Sequence, residues 1–330
     1  MVLTPGTTLD NGFRIEAYSP AFLFVNRHFN TMYPYAMRNN PSPTYQRERW
    51  ETKDGDFFDI DLVKKGAKSI VILLHGLEGS SSSQYILGMA NALSSVPIDI
   101  CAVNHRSCSG ELNRTLGFYH SGYTQDLAFI VSELSKKYEV VSAVGYSLGG
   151  NMLLKYLGTA DVPREFKTGV ALSVPAHLSS SAVRLNHWTN RPYAVQFLKT
   201  LNKKAVAKAK QFPHILDYKK FQKISTLYEF DNKVTAPLHG FVDAEDYYAQ
   251  SSSAQFLHNI KVPTLLINAL DDSFLAPPCF PFEVAHSNPN FHFYAPKHGG
   301  HVGFARLKSD AYWSDDMVVQ WLMMTGAITN

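Results

Sequence analysis

Cysteine is scarce in this 330-residue chain. Cys101, Cys108 and Cys279 are the only three, too few for a disulfide framework and without metal-ligand spacing. A reducing, cytoplasmic compartment is the expectation. No apolar run approaches the ~18 residues needed to span a bilayer. The longest, such as Ser69 to Leu74, have the length of strands, so no transmembrane segment is expected. The N-terminus carries Asp10, Arg14 and Glu16 and no hydrophobic signal core. A net charge of +3 without a dominant basic tract leaves no footprint for nucleic acid. There are no internal repeats, and the serine-rich patches at Ser80–Ser83 and Ser251–Ser253 are short and loop-like. No His-Glu-x-x-His zinc pattern and no phosphate-cradling loop occur, so neither metal nor cofactor is expected.

What is present is a strand–helix alternation beginning near residue 56. Phe57, Phe58, Ile60 and Leu62 mark a strand, and Ile70 to Leu74 is a continuous apolar run suited to a strand covered on both faces. Ile86, Met89, Ala90 and Leu93 fall at helical spacing. Further strands are expected at 98–103, 140–145, 169–174, 263–268 and 291–295. Further helices are expected around Leu127–Leu134, Met152–Leu157 and Met317–Leu322. The pattern predicts a mostly parallel, doubly wound sheet. It stops between about 176 and 256. The reading is therefore a catalytic domain over 1–175 and 257–330, its first 40 residues an extension, with a helical cap inserted at 176–256.

The strand at 140–145 runs into Gly145-Tyr146-Ser147-Leu148-Gly149-Gly150. This is G-x-S-x-G between strand and helix and resembles the nucleophile elbow of α/β-hydrolases. A nucleophilic serine must project from a sharp turn, and glycines remove Cβ atoms where strand and helix approach closely. An acyl-transfer site also needs two N–H donors for the oxyanion. Leu148 is one candidate and Leu77, in the loop His75-Gly76-Leu77-Glu78-Gly79, is the other. His75 reads as a structural hydrogen-bonder, and Glu78 is open between a supporting charge and a solvated one.

Thirteen histidines make position decisive. In α/β-hydrolases the order is serine, acid, histidine, with the histidine in a loop after the last strand. His301, in Lys297-His298-Gly299-Gly300-His301-Val302-Gly303-Phe304, is the expected base and His298 the fallback; His286 and His292 read as structural. Asn268-Ala269-Leu270-Asp271-Asp272 supplies the acid that would hold the histidine tautomer. The usual spacing of that loop favours Asp272, with Asp271 as the alternative.

Together these segments resemble the YheT-like branch of the α/β-hydrolases. The likeness also rests on Asn104-His105-Arg106-Ser107-Cys108-Ser109-Gly110-Glu111, Tyr119-His120-Ser121-Gly122 and Thr124-Gln125-Asp126-Leu127. It covers roughly residues 40 to 325 and implies hydrolysis of short or medium acyl esters, with lipid and phospholipid esters within range. One departure stands out: the branch usually carries Arg-Gly-Cys where this chain has Arg106-Ser107-Cys108. Cys108 has no cysteine near it in sequence and is read as non-catalytic, and Tyr119–Gly122 as bracing the site from behind.

In the cap, Trp188, Tyr193, Phe197, Phe212, Tyr218, Phe221, Tyr228 and Phe230 alternate with Lys199, Lys203, Lys204, Lys208 and Lys210. The aromatics are expected on the core and around an acyl pocket, the lysines in solvent; a peripheral contact with anionic lipid stays open. The expected protein is a serine hydrolase acting on a small-molecule ester or lipid. Acyl transfer by the same residues, or a non-catalytic ligand-binding homologue, are the alternatives.

Overall fold

The continuous apolar runs become central strands, because a strand covered on both faces gains from burying every side chain. The computed structural model describes residues 1–216 and 224–328. Its strands are β1 (Val2–Leu3), β2 (Gln46–Glu51), β3 (Phe57–Val63), β4 (Ser69–Leu74), β5 (Asp99–Asn104), β6 (Val140–Tyr146), β7 (Phe166–Leu172), β8 (Thr264–Ile267) and β9 (Phe291–Tyr294). They form one sheet in the order β1-β9-β8-β7-β6-β4-β5-β3-β2. Only the β2–β3 and β3–β5 pairs are antiparallel.

The helices are α1 (Arg27–Met37), α2 (Gln84–Ala92), α3 (Gln125–Leu134), α4 (Leu148–Thr159), α5 (Leu178–Asn186), α6 (Arg191–Gln211), α7 (Leu227–Phe230), α8 (Ala236–His239), α9 (Ala244–Ser251), α10 (Phe282–Ser287) and α11 (Trp313–Met324). β4 shows how they cover the sheet. Ile70, Ile72 and Leu74 pack with α3 and α4, while Val71 and Leu73 pack with α2 and α11. Each such side chain contributes about 2 kcal/mol by leaving water. β7 stops at Leu172 rather than at the expected Val174, because Ser173 turns to φ +53°.

Between β7 and β8 the described residues hold helices and turns but no strand. Two expectations for this stretch need correction. Trp188 and Tyr228 are exposed instead of packed on the core. Lys204 and Lys208 turn inward, for they share the buried side of α6 with Leu201 and Ala205 at helical spacing. Lys208 is fully buried, and its Nζ donates to Asn113 O, Asn113 Oδ1 and Thr115 O at 2.6, 3.0 and 2.8 Å. Lys199, Lys203 and Lys210 are exposed, as expected. Tyr218 and Phe221 lie outside the described residues.

The first 40 residues are integrated with the sheet and its loops. β1 pairs with β9. α1 starts where the Asn26 side chain accepts the N–H groups of His28 and Phe29 at 3.0 and 3.1 Å, a cap that satisfies otherwise orphaned donors. At its end Arg38 forms a buried ion pair with Asp315 of α11.

Candidate active site

Ser147 sits between β6 and α4 with φ +51° and ψ −117°. A left-handed φ is costly for a residue with a Cβ, and close packing fixes it here. A Cβ on Gly149 would fall 2.6 Å from both the His75 and Leu74 carbonyl oxygens, and one on Gly145 2.6 Å from Gly149 O. The Ser147 N–H donates to Leu172 O at 2.9 Å, tying the turn to β7. The start of α4 presents the positive end of its dipole beside the hydroxyl.

The loop after β9 brings His301 across the carboxyl ends of the strands. Its Nε2 lies 2.9 Å from Ser147 Oγ and its Nδ1 2.8 Å from Asp272 Oδ2. The Asp272 carboxylate is buried, and its Oδ1 accepts the Phe274 N–H at 2.9 Å. Phe274 lies nearly flat on the His301 ring, centroids 4.2 Å apart at 28°. The His301 N–H donates to Thr31 Oγ1 and the Val302 N–H to Ser173 Oγ, both at 2.9 Å. The imidazole is thus held from its ring face, its Nδ1 side and its backbone. Such an arrangement can accept the Ser147 proton at Nε2 while the carboxylate stabilises the imidazolium.

Asp271 points elsewhere. Its Oδ1 accepts the Gly300 N–H at 2.9 Å and its Oδ2 lies 3.3 Å from His298 Nδ1. Burial raises its carboxyl above the ordinary range. His286 is in α10 and His292 in β9, where burial pushes the His292 imidazole down to about 4. His75 is satisfied inside the protein: its Nδ1 donates to Gly76 O at 2.7 Å and its Nε2 accepts the His105 N–H at 3.1 Å.

The loop after β4 passes close to the serine, a Cβ on Gly76 falling 3.1 Å from that of Ser147. Of its three successive amides, Gly76, Leu77 and Glu78, two have acceptors. Gly76 N–H donates to Tyr85 Oη at 2.9 Å and Glu78 N–H to Tyr119 Oη at 2.7 Å. The Leu77 N–H between them has no acceptor among the described residues, and neither has that of Leu148. Glu78, at φ +57°, is held by its side chain too: Lys204 Nζ lies 2.8 Å and the Tyr119 hydroxyl 3.0 Å from Glu78 Oε1. Lys204 also reaches Cys108 Sγ at 3.3 Å, and burial pushes that thiol up to about 11, far from a reactive thiolate.

A cavity of about 130 Å³ opens beside Ser147, walled by Leu148, Phe197, Leu201, Phe230 and Phe274 among others. Tyr119, His120 and Ser121 line it as well, so that segment forms part of the wall and does not brace the site from behind. Sequence reasoning missed Thr31, Ser173, Phe274 and Lys204. Phe274 stood two residues from the favoured aspartate, which was a usable signal; Thr31 and Ser173 offered none.

An elbow serine after a parallel strand, an acid loop after a later strand and a histidine loop after the last define a class. The chain belongs to the α/β-hydrolase family, whose model, described as alpha/beta hydrolase fold, matches residues 69–305. Within the family it is similar to "Putative esterase YheT" of Escherichia coli (strain K12), at 33% identity over 96% of both chains. It is also similar to "Phospholipase ABHD3" of Bos taurus, at 28% identity over 88% of this chain and 73% of the relative. Among solved structures, the Pyrococcus furiosus esterase Pf2001 shares the fold with a TM-score of 0.57 at 17% identity, over 86% of this chain and 98% of that one.

Proposed function

We propose that the protein is a carboxylic ester hydrolase in which Ser147 is the nucleophile, His301 the base and Asp272 the acid. Ser147 Oγ attacks the ester carbonyl carbon as its proton passes to His301 Nε2. The Leu77 and Leu148 N–H groups hold the resulting oxyanion. The intermediate collapses, the C–O bond to the alcohol breaks, and His301 returns the proton to the departing alkoxide. Water, deprotonated by His301, then cleaves the acyl-serine and frees the acid. The esterase and phospholipase names of the relatives support ester chemistry. The observation that carries the reading is His301 lying 2.9 Å from Ser147 and 2.8 Å from Asp272 at once.

The helices between β7 and β8 act as a cap over an apolar acyl pocket. A cavity of about 130 Å³ is near the size that admits a benzene-sized group, an engineered example elsewhere being ~150 Å³. Short acyl chains are therefore the preferred substrates. A p-nitrophenyl ester series from acetate through laurate to palmitate tests this. Activity greatest at the short end supports the pocket assignment; activity rising steadily to palmitate contradicts it. A folded protein inactive on every member contradicts the esterase reading itself.

A further inference from the structure

Helix α1 has two unlike faces. Asn30 and Pro34 are buried, and Thr31 meets the His301 loop. On the other side Phe29, Met32 and Tyr35 are 41%, 46% and 75% exposed. The turn just before the helix adds Phe22 at 90% and Leu23 at 50%. These residues, apart from Tyr35, line one open groove, and a contiguous apolar patch of this kind marks an interaction site.

The patch continues onto α6. The His28 ring stacks on Tyr193, its Nδ1 3.2 Å from the Tyr193 hydroxyl. Trp188, just ahead of α6, is 77% exposed, and Val195 is 55% exposed. Arg191, Val195, Lys199 and Lys203 recur at every fourth position, so they form one row along the helix, and all four are exposed. The surrounding sequence is free of acid. No Asp or Glu occurs from Ala17 to Arg47 or from Phe166 to Leu216. The second stretch carries Lys167, Arg184, Arg191, Lys199, Lys203 and Lys210, besides Lys204 and Lys208, which turn inward. The small net charge of the whole chain conceals this asymmetry.

We infer that the Phe22–Leu23 turn, the outer face of α1 and the Arg191–Lys203 row of α6 form a docking surface for an anionic lipid bilayer. Exposed aromatic and aliphatic side chains enter the headgroup–acyl boundary while neighbouring cations meet lipid phosphates. A second copy of the chain is the poorer occupant, because these segments have no carboxylates to offer to each other's cations. The surface also lies close to the site. The Tyr193 ring packs on Phe274 at 4.9 Å, and Phe274 lies on His301 and lines the cavity. Docking places the lipid surface one aromatic layer from the cavity wall. The inference concerns binding and stands apart from the ester reading.

The test uses the full chain and sedimenting vesicles of phosphatidylcholine, with or without about 30 mol% phosphatidylglycerol. The native protein binds the anionic vesicles, binds the neutral ones weakly, and loses affinity as salt rises. Phe22→Ser/Leu23→Ser and, separately, Lys199→Glu/Lys203→Glu each weaken binding by about tenfold or more. Both variants hydrolyse p-nitrophenyl acetate without vesicles as the native protein does, which separates docking from catalysis and reports correct folding. Absence of binding to anionic vesicles, or equal binding by both variants, overturns the inference. So does a native dimer, seen by sedimentation equilibrium, that Phe22→Ser/Leu23→Ser dissociates, for the patch would then belong to a second copy.

Discussion

The Thr31 hydroxyl accepts the main-chain N–H of His301 at 2.9 Å, across 270 positions of sequence. The same hydroxyl donates to Arg27 O at 2.7 Å, so it is fixed on α1 and holds the histidine loop from the N-terminal side. Thr31→Val keeps the shape and leaves the His301 N–H without its acceptor. The expected cost is about 1 kcal/mol of stability and a several-fold fall in kcat with little change in KM. Thermal unfolding and steady-state kinetics check the two together; a kcat equal to the native value contradicts the positioning role.

Adjacent aspartates allow a second test. Asp272→Asn leaves His301 Nδ1 facing an amide and disturbs the tautomer, so kcat should fall by roughly 10⁴-fold. Asp271→Asn touches only the Gly300 N–H and His298 contacts and should cost less than about tenfold. Equal losses in the two variants, measured on p-nitrophenyl acetate, contradict the assignment of the acid to Asp272.

Much of this architecture was legible in the sequence because local signals and burial agree. Ile70–Leu74 is apolar without a break and Val140–Gly145 is interrupted only by Ser142, and β4 and β6 are buried throughout. The glycines around Ser147 announced an elbow whose close contacts leave no room for Cβ atoms. What escaped depends on distant pairing. β2 reads Gln-Arg-Glu-Arg-Trp-Glu, a charged edge strand with no apolar run to mark it, and its charges suit an edge. α1 contains Pro34, a residue that argues against a helix interior. Lys204 looked like its exposed neighbours until α6 was placed against Glu78.

The Lys204–Glu78 pair yields a third prediction. The Glu78 side chain is 5% exposed and that of Lys204 22%, so Lys204→Met strands a mostly buried carboxylate and should cost about 3 kcal/mol. Adding Glu78→Gln should recover part of that stability. A double-mutant cycle by chemical denaturation measures the coupling, and purely additive losses contradict it.

Ser107 holds φ +66° with its Oγ donating to Asn113 Oδ1 at 2.6 Å and accepting the Asn113 N–H at 3.0 Å. Ser107→Ala keeps the backbone strain and loses both bonds, while Ser107→Gly relieves about 1 kcal/mol of strain. The glycine variant should therefore unfold at the higher denaturant concentration of the two. The reverse order contradicts this account of the loop.

Asp231 lines the cavity, and burial lifts its carboxyl from 3.8 to about 6, although Thr235 and Tyr248 hydroxyls both donate to it at 2.7 Å. A raised value means the fold favours the protonated form. Its stabilising contribution is full below pH 3.8 and is lost as pH rises through about 6. Asp231→Asn removes this dependence. The Tm of the variant minus that of the native protein should rise between about pH 4 and pH 6 and level off above it. A difference constant across that range contradicts the assignment.

The central claim is that Ser147, among many serines, is the nucleophile activated by His301. Treatment with a fluorophosphonate, followed by peptide mass analysis, tests it most directly. The account predicts one stoichiometric adduct on the peptide bearing Ser147, and none in folded Ser147→Ala. An adduct on another residue, or a folded native protein that stays unmodified, would contradict it.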